Sequence, residues 1–417
     1  MSTRARGQAH HADMHAFDLI LTLTGALTGA LIFGYLTHRA GLSPIVGYLV
    51  AGVAVGPHTP GFVADPHLAE QLAEVGVVLL MFGVGLQFHI EELLAVRRVA
   101  VPGAIAQSAV ATVLGALLLR RFGWGWSGGV VFGLALSVAS TVVLIRVLAD
   151  NNTLHTPAGH IAVGWLVVED LFTVLTLVVL PIVFGVDAPT GGLGLALLLT
   201  AGKVAALVAF TELVGTRLIP RVLDYVAGTR SQELFTLTIL VVALGIAVGA
   251  AIVFDVSMAL GAFLAGLVVG RSDYAQRAAS EALPFRDAFA VLFFVSVGML
   301  LQPAEVIVQH RLILSTLGVV LIGKPLVAFA ITWGLRYSFA TSLTVAVALA
   351  QIGEFSFVLS RVGTELGLLT AEATNVLVSV AILSIMINPV LSRVVAPVDE
   401  WAMARPRIRR LLDRSEP

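Results

Sequence analysis

Two adjacent acids, Glu169 and Asp170, interrupt an otherwise apolar segment, GWLVVEDLFTVLTLVVLP, which runs from Gly164 to Pro181. A charged side chain at the centre of a lipid bilayer costs roughly 2.5–3.5 kcal/mol on insertion scales, so an acid inside a membrane helix indicates a function. A carboxylate that holds either a proton or a small cation would have such a function. Competition between the two ions for one side chain would couple their movements, which is antiport.

A third charged residue, Lys324, lies in the apolar segment LIGKPLVAF. The only lysines in the sequence are Lys203 and Lys324, and both fall inside apolar segments. Adjacent residues on a helix point about 100° apart, so one acid can face the lysine while the other faces an aqueous cavity. We predict that Glu169 faces Lys324 and that Asp170 faces the cavity. A static ion pair that only joins helices is the alternative, but it leaves the second acid without a partner.

The composition indicates that these charges lie in a membrane protein. The 417 residues are 58% hydrophobic and 12% charged, with a mean hydropathy of +0.96, whereas soluble domains average about 25% charged residues. Apolar runs of about 20 residues, long enough to cross a hydrocarbon core of ~30 Å, recur along the chain. The sequence therefore predicts an all-α polytopic membrane protein in contact with the lipid bilayer. We expect no nucleic-acid partner and no cofactor, and the absence of cysteine excludes thiolate metal sites.

We predict about thirteen transmembrane helices from the apolar runs. The expected organisation is a polar N-terminal tail at 1–16, a transmembrane domain at 17–397 and a basic tail at 398–417. Within the transmembrane domain, we expect a first repeat at 17–185, a linker helix at 191–215 and a second repeat at 232–396. The arginines concentrate in the loops on one side. The positive-inside rule then predicts that the N-terminus is outside and the C-terminus is cytoplasmic.

The chain contains an internal repeat. The segment LSPIVGYLVAGVAVG, at 42–56, aligns without gaps with VSMALGAFLAGLVVG, at 256–270. The alignment pairs Ser43 with Ser257, Gly47 with Gly261, Gly52 with Gly266 and Gly56 with Gly270, and the surroundings of Gly85 with those of Gly298. Because the two copies begin an odd number of spans apart, the second copy is inverted in the membrane. Inverted repeats are typical of secondary transporters.

The repeat also predicts where two transmembrane helices break. LALSVASTVVL, at 134–144, and VALAQIGEFSFVL, at 347–359, occupy equivalent places in the two halves. Small polar residues lie in the middle of both, where an unwound backbone can present carbonyl groups to a cation. These residues are Ser137, Ser140 and Thr141 in the first segment and Gln351, Gly353, Glu354 and Ser356 in the second.

We predict that the two broken helices cross and that the cation binds at the crossing. Asp170 would bind it together with Ser140, Thr141 and backbone carbonyls. Glu354 and a lysine would compensate the partial charges at the ends of the half-helices. For Ser140 and Thr141 the alternative is ordinary hydrogen bonding between helices.

The motifs together resemble the cation:proton antiporter-2 family. The resemblance rests on VVEDL around Asp170, LIGKPL around Lys324, QIGEFSFVL at 351–359 and the segment at 272–299. Within the family it points to the Kef-type branch, especially its YbaL-like subgroup. It implies an inverted-repeat antiporter fold of thirteen helices, a homodimer and an elevator-like movement of a core formed by spans 4–6 and 11–13. It also implies that Asp170 is the essential ion-binding acid, that Lys324 is its partner lysine, and that Ser140 and Thr141 mark the unwound crossover.

Two features depart from the family pattern. Glu169 stands where sodium/proton relatives have aspartate and glutathione-gated potassium relatives have glutamine, so the number of protons exchanged per cation stays open. Kef-type relatives also continue into a cytoplasmic nucleotide-binding regulatory domain, whereas this sequence has no G-x-G-x-x-G motif after its basic tail. We expect either that such a domain is missing from this chain or that this form of regulation is absent.

These observations predict a secondary transporter, a monovalent cation/proton antiporter of the inner (cytoplasmic) membrane that works by alternating access, with K+ favoured over Na+. A gated K+ efflux channel on the same scaffold is one alternative, and it would pass current without moving protons. A non-transporting membrane scaffold is another, but it gives three buried charges no function. An intramembrane enzyme would need a nucleophile–base pair or a metal motif such as H-E-x-x-H, which we do not find.

Overall fold

The computed structural model describes residues 3–60, 62–87, 90–184, 193–254 and 257–405. Over these ranges the regular secondary structure is helical, without a β-strand. Eight of the described helical segments are long and apolar enough to cross a membrane: Leu19–Arg39, Pro66–Gln87, Val96–Arg121, Pro157–Phe184, Gln232–Phe254, Ala275–Met299, His310–Gly334 and Ala371–Met403. The predicted all-α polytopic architecture is confirmed, while the count of about thirteen spans stays a prediction.

In chain order the described helices are α1 (Thr3–Arg39), α2 (Pro44–Val55), α3 (Pro66–Gln87), α4 (Ile90–Arg121), α5 (Trp126–Ser137), α6 (Thr141–Asp150), α7 (Pro157–Phe184), α8 (Leu193–Phe210), α9 (Thr216–Gly228), α10 (Gln232–Phe254), α11 (Met258–Gly270), α12 (Ala275–Met299), α13 (Pro303–Val308), α14 (His310–Gly318), α15 (Lys324–Gly334), α16 (Phe339–Ala348), α17 (Glu354–Glu365) and α18 (Ala371–Met403). One π-helical turn, Thr211–Gly215, joins α8 to α9, and another, Val319–Gly323, joins α14 to α15.

Three helix ends differ from the predicted boundaries. Helix α1 begins at Thr3, inside the segment predicted as a tail at 1–16, and α18 continues to Met403, inside the tail predicted at 398–417. The predicted linker at 191–215 continues through a π turn into α9. Hydropathy marks only the apolar part of a helix, whereas backbone hydrogen bonding propagates into polar flanking residues, so the helices run further than the apolar runs. Residues 406–417 of the predicted tail lie outside the described residues.

The chain folds into two compact units. Unit 1 is formed by the described residues within 1–88 and 189–303, and unit 2 by those within 89–188 and 304–417. In unit 1, α2 packs against α1 and α12, while α11 packs against α10 and α3. In unit 2, α4 packs against α5 and α7, α15 against α16, and α14 against α18.

In unit 1, glycines allow the helices of the repeat to cross with their backbones in contact. A Cβ at Gly52 of α2 would overlap the carbonyl oxygen of Val295 in α12, and a Cβ at Gly266 of α11 would overlap that of Phe82 in α3. The reciprocal contacts are Gly298 with the carbonyl of Leu49, and Gly85 with that of Phe263. The same contact therefore recurs at positions that the sequence repeat aligns.

In unit 2, an apolar cluster supports the polar segments. It is built from α4, α6, α7, α15 and α16 around Trp165, which is fully buried. Two helices near this cluster are interrupted in mid-course. Helix α5 ends at Ser137 and α6 begins at Thr141. Helix α16 ends at Ala348 and α17 begins at Glu354. Both interruptions fall where the sequence predicts them.

Candidate functional site

The two interrupted segments contact each other directly. The side-chain amide of Gln351 pairs with the backbone of Ser140, because its Oε1 accepts the Ser140 N–H at 2.9 Å and its Nε2 donates to the Ser140 carbonyl at 3.0 Å. The Gly353 N–H donates to the Val138 carbonyl at 3.0 Å, and Ser356 Oγ donates to the same carbonyl at 3.5 Å. The interruption of each helix leaves backbone N–H and carbonyl groups without their helical hydrogen bonds. The opposite segment supplies the missing partners, which these groups need because no water reaches them inside a membrane.

Position 353 needs glycine because the two backbones touch there. A Cβ at Gly353 would overlap the carbonyl oxygen of Ala139. The serine hydroxyls of the first segment serve the adjoining helix ends. Ser140 Oγ accepts a backbone N–H in the first turn of α6 at 3.3 Å, and Ser137 Oγ donates to a carbonyl of α5 at 2.7 Å. The Ser140 hydroxyl is therefore an N-cap, and its predicted role as a cation ligand stays a prediction.

Glu169 is fully buried on α7, and both of its carboxylate oxygens accept hydrogen bonds. Oε1 accepts from Gln107 Nε2 at 2.6 Å, and Oε2 accepts from the Ala139 N–H at 2.9 Å. Gln107 lies on α4 and is also fully buried. This acid therefore ties α7 both to α4 and to the first interrupted segment.

Asp170 has a different environment. Its side chain is 7% exposed, and its Oδ2 accepts a hydrogen bond from Thr141 Oγ1 at 3.3 Å. Its Oδ1 is buried and has no hydrogen-bond partner in the described part of the chain. The negative charges of Glu354 and Glu169 both act on Asp170. A buried carboxylate oxygen without a donor, close to further negative charge, suits a proton or a cation.

Lys324, at the start of α15, is 1% exposed and contacts the second interrupted segment. Its Nζ donates to the Gln351 carbonyl at 3.1 Å. The ammonium thus lies just beyond the C-terminal end of α16, where the helix dipole is negative, while Glu354 lies in the first turn of α17, where it is positive. Lys324 and Glu169 are close enough to influence each other electrostatically, although each makes its hydrogen bonds to other groups.

Three supporting residues escaped the sequence reasoning: Gln107, Ser384 and Asn388. Asn388 Nδ2 donates to the carbonyls of Val347 and Ala350 at 2.7 and 3.4 Å, and Ser384 Oγ accepts a backbone N–H of the second interrupted segment at 3.3 Å. All three are polar residues in the middle of apolar segments. That signal was available in the sequence, but it does not identify the partner of each residue.

The fold and the site together define a polytopic helical transporter whose charged residues converge where two broken helices cross. The family described as "Sodium/hydrogen exchanger, transmembrane" matches residues 26–395, and the chain belongs to this family. Its members are cation/proton antiporters, so the protein is a transporter and not an enzyme. The family and the apolar helices together establish a multi-pass membrane protein.

Two relatives refine the family assignment. Over 382 residues the chain is 53% identical to the "Putative cation/proton antiporter YbaL" of Escherichia coli (strain K12), an alignment that covers 90% of this chain and 68% of that protein. It is 31% identical over 380 residues to "K(+) efflux antiporter 2, chloroplastic" of Arabidopsis thaliana, covering 89% of this chain and 32% of that protein. The predicted resemblance to Kef-type cation:proton antiporters is confirmed.

A solved structure matches the fold. The sodium proton antiporter MjNhaP1 from Methanocaldococcus jannaschii superposes with a TM-score of 0.67, covering 91% of this chain and 99% of that chain at 16% sequence identity. At this identity the similarity concerns the architecture alone. The architecture is thus that of a known proton antiporter.

Proposed function

We propose that this protein is a monovalent cation/proton antiporter in which Asp170 binds a proton or a cation in competition. The observation that carries the proposal is the difference between the two adjacent acids. Glu169 accepts hydrogen bonds at both oxygens, whereas Asp170 has one buried oxygen without a donor in the described residues. Asp170 is therefore the acid that exchanges its ion, and Glu169 is the acid that holds the structure around it.

The neighbours of Asp170 supply the remaining parts of the mechanism. The Thr141 hydroxyl, 3.3 Å from Asp170 Oδ2, is the nearest additional oxygen ligand for a dehydrated cation. Ser140 contributes through its backbone, which Gln351 holds in place. Lys324 holds the second interrupted segment and balances the charge of Glu169. Binding at Asp170 is thereby linked through adjacent residues to both interrupted segments.

The transported cation is K+ in preference to Na+. The support is the name of the plant relatives, K(+) efflux antiporters, which are 29–31% identical to this chain over the aligned residues.

Alternating access in this proposal is an elevator-like movement of unit 2. All ten predicted site residues belong to unit 2, so the site would travel as one piece. This grouping matches the moving core that the family resemblance implies. The protein would act as a homodimer in the inner membrane, with the N-terminus outside and the basic tail in the cytoplasm.

Replacing Asp170 with asparagine tests the proposal. Purified protein in liposomes that contain a pH-sensitive dye receives a pulse of K+ or Na+, and we expect the Asp170→Asn variant to lose cation-dependent proton flux. Glu365→Gln is the control, because Glu365 forms an exposed ion pair with Arg361 in the same unit, and this variant should transport normally. Proton flux that persists in Asp170→Asn would refute the site assignment. K+ current without proton movement in the natural protein would favour the channel.

A further inference from the structure

A cavity of about 730 Å³ lies in unit 2, at the far end of two half-helices from the ion site. Helices α5 and α17 each have 12 residues, which corresponds to about 18 Å. One end of each helix adjoins an interrupted segment, and the loop at the other end lines the cavity. The volume is within the range of about 300–1,000 Å³ that is typical of ligand sites.

The cavity is at the level where apolar helices end. Helix α4 ends just before its wall, at Arg121, and α14 and α18 begin at it. Trp124 lines the cavity, and Trp126 begins α5 next to it. Tryptophan is enriched where a membrane meets water. The cavity therefore opens at the lipid headgroup region.

The rim of the cavity is strongly apolar and exposed. Val308, which lines the cavity, is 72% exposed, and its neighbour Ile307 is 77% exposed. Both belong to α13, which buries none of its residues. Exposed aliphatic side chains at this level face acyl chains, so the occupant of the cavity would have access to the lipid phase.

The lining of the cavity carries both signs of charge, on exposed side chains. Arg311, at the start of α14, and Glu372, in the first turn of α18, line it together with the polar side chains of Ser127, Gln309 and Thr370. Gln309 Oε1 is buried and has no hydrogen-bond partner within the described ranges. An arginine suits a phosphate, which it binds through paired N–H groups, and a glutamate suits an ammonium group.

We propose that this cavity binds the headgroup of phosphatidylethanolamine. The phosphate lies against Arg311, the ammonium lies against Glu372 with Gln309 as an additional acceptor, and the acyl chains leave over Val308. Because the cavity contacts the ends of α5 and α17, the bound lipid holds together the two half-helices that form part of the ion site. The lipid is thus a stabilising ligand of unit 2 and is distinct from the transported ions.

Lipid binding to the full purified chain tests the proposal. Native mass spectrometry and thermal unfolding are measured with added phosphatidylethanolamine, phosphatidylcholine or phosphatidylglycerol, and with free phosphoethanolamine. We expect phosphatidylethanolamine to bind most tightly and to raise the unfolding temperature most. Arg311→Ala and Glu372→Gln should each weaken its binding about tenfold or more, because each removes a charge-assisted hydrogen bond. Arg361→Ala is the control, since Arg361 lies on α17 and pairs with Glu365 outside the cavity lining.

Three results would overturn the proposal. Equal binding of phosphatidylcholine or phosphatidylglycerol would contradict recognition of the ammonium group, and unchanged binding in Arg311→Ala would contradict recognition of the phosphate. Free phosphoethanolamine that binds as tightly as the lipid would make the ligand a soluble phosphate ester. Should Arg311→Ala fail to fold, the test rests on the isosteric Glu372→Gln variant, and unchanged binding of phosphatidylethanolamine to that variant would contradict the proposal. Neither readout depends on transport, so failure here leaves the antiport proposal unaffected.

Discussion

Replacing Gln351 with leucine removes the side chain that joins the two interrupted helices. Its amide makes hydrogen bonds of 2.9 and 3.0 Å to the N–H and the carbonyl of Ser140, and both residues are buried. Leucine leaves these two backbone groups unsatisfied, at about 1–3 kcal/mol for each. We expect Gln351→Leu to lose about 2–6 kcal/mol of unfolding free energy, because the two penalties fall on one segment. Transport should fall as well, since the same segment positions Thr141 beside Asp170.

The assay combines denaturant unfolding of the purified protein in detergent with initial rates of cation-dependent proton flux from the same preparation. Gln71→Leu is the matched control, because Gln71 is exposed and bonds His67 Nε2 on the surface at 3.2 Å. A surface substitution of this kind changes stability by no more than about 0.5 kcal/mol. If Gln351→Leu behaves like Gln71→Leu in both measurements, the amide bridge does not hold the crossing together and the reasoning fails.

Three further variants extend the tests. Gln107→Leu should lower the initial rate of proton flux about tenfold or more, since a hydrogen bond to a charged acceptor contributes about 1.5–3 kcal/mol; a rate equal to that of the natural protein would contradict the role of Gln107. Lys324→Met should destabilise the protein by about 3–5 kcal/mol in denaturant unfolding, because Glu169 keeps a buried charge without its compensating ammonium. The double variant Lys324→Met with Glu169→Gln should recover part of the lost unfolding free energy, and no recovery would show that the two charges are independent. Gly266→Ala should lower the free energy of unfolding by about 1–3 kcal/mol. Gly249→Ala should leave it unchanged, because the new methyl group enters open space. Equal losses in the two variants would exclude the backbone contact as the cause.

The residues of the site could be found from sequence because each is locally anomalous. Charged residues such as Asp170 and Lys324 stand out in apolar segments, and the polar centres of two spans mark the interruptions. The repeat then assigned equivalent places to the two interruptions. Their partners were not predictable, because Gln351 and Ser140 meet only through the register in which the two helices cross.

The role of Ser140 illustrates the limit of such reasoning. A serine in the middle of a membrane span resembles a cation ligand, and a predicted break within 134–144 does not fix the residue at which the helix restarts. Once α6 begins at Thr141, the serine before it is in the N-cap position, and its oxygen accepts the Val143 N–H. The residue types therefore identified the region, while the point at which the helix restarts decides which hydroxyl caps α6. The role of Ser140 as a cation ligand stays a prediction.

The backbone contacts at Gly52 and Gly266 restrict the motions open to unit 1. A side chain in place of Gly52 would overlap the Val295 carbonyl, and one in place of Gly266 would overlap the Phe82 carbonyl, so neither α2 nor α11 can slide to bring a residue with a Cβ to these points. Sliding is thus blocked at two related places. The helices of this unit form a fixed frame whose internal spacing is set by main-chain atoms, and a conformational cycle must leave these two crossings unchanged.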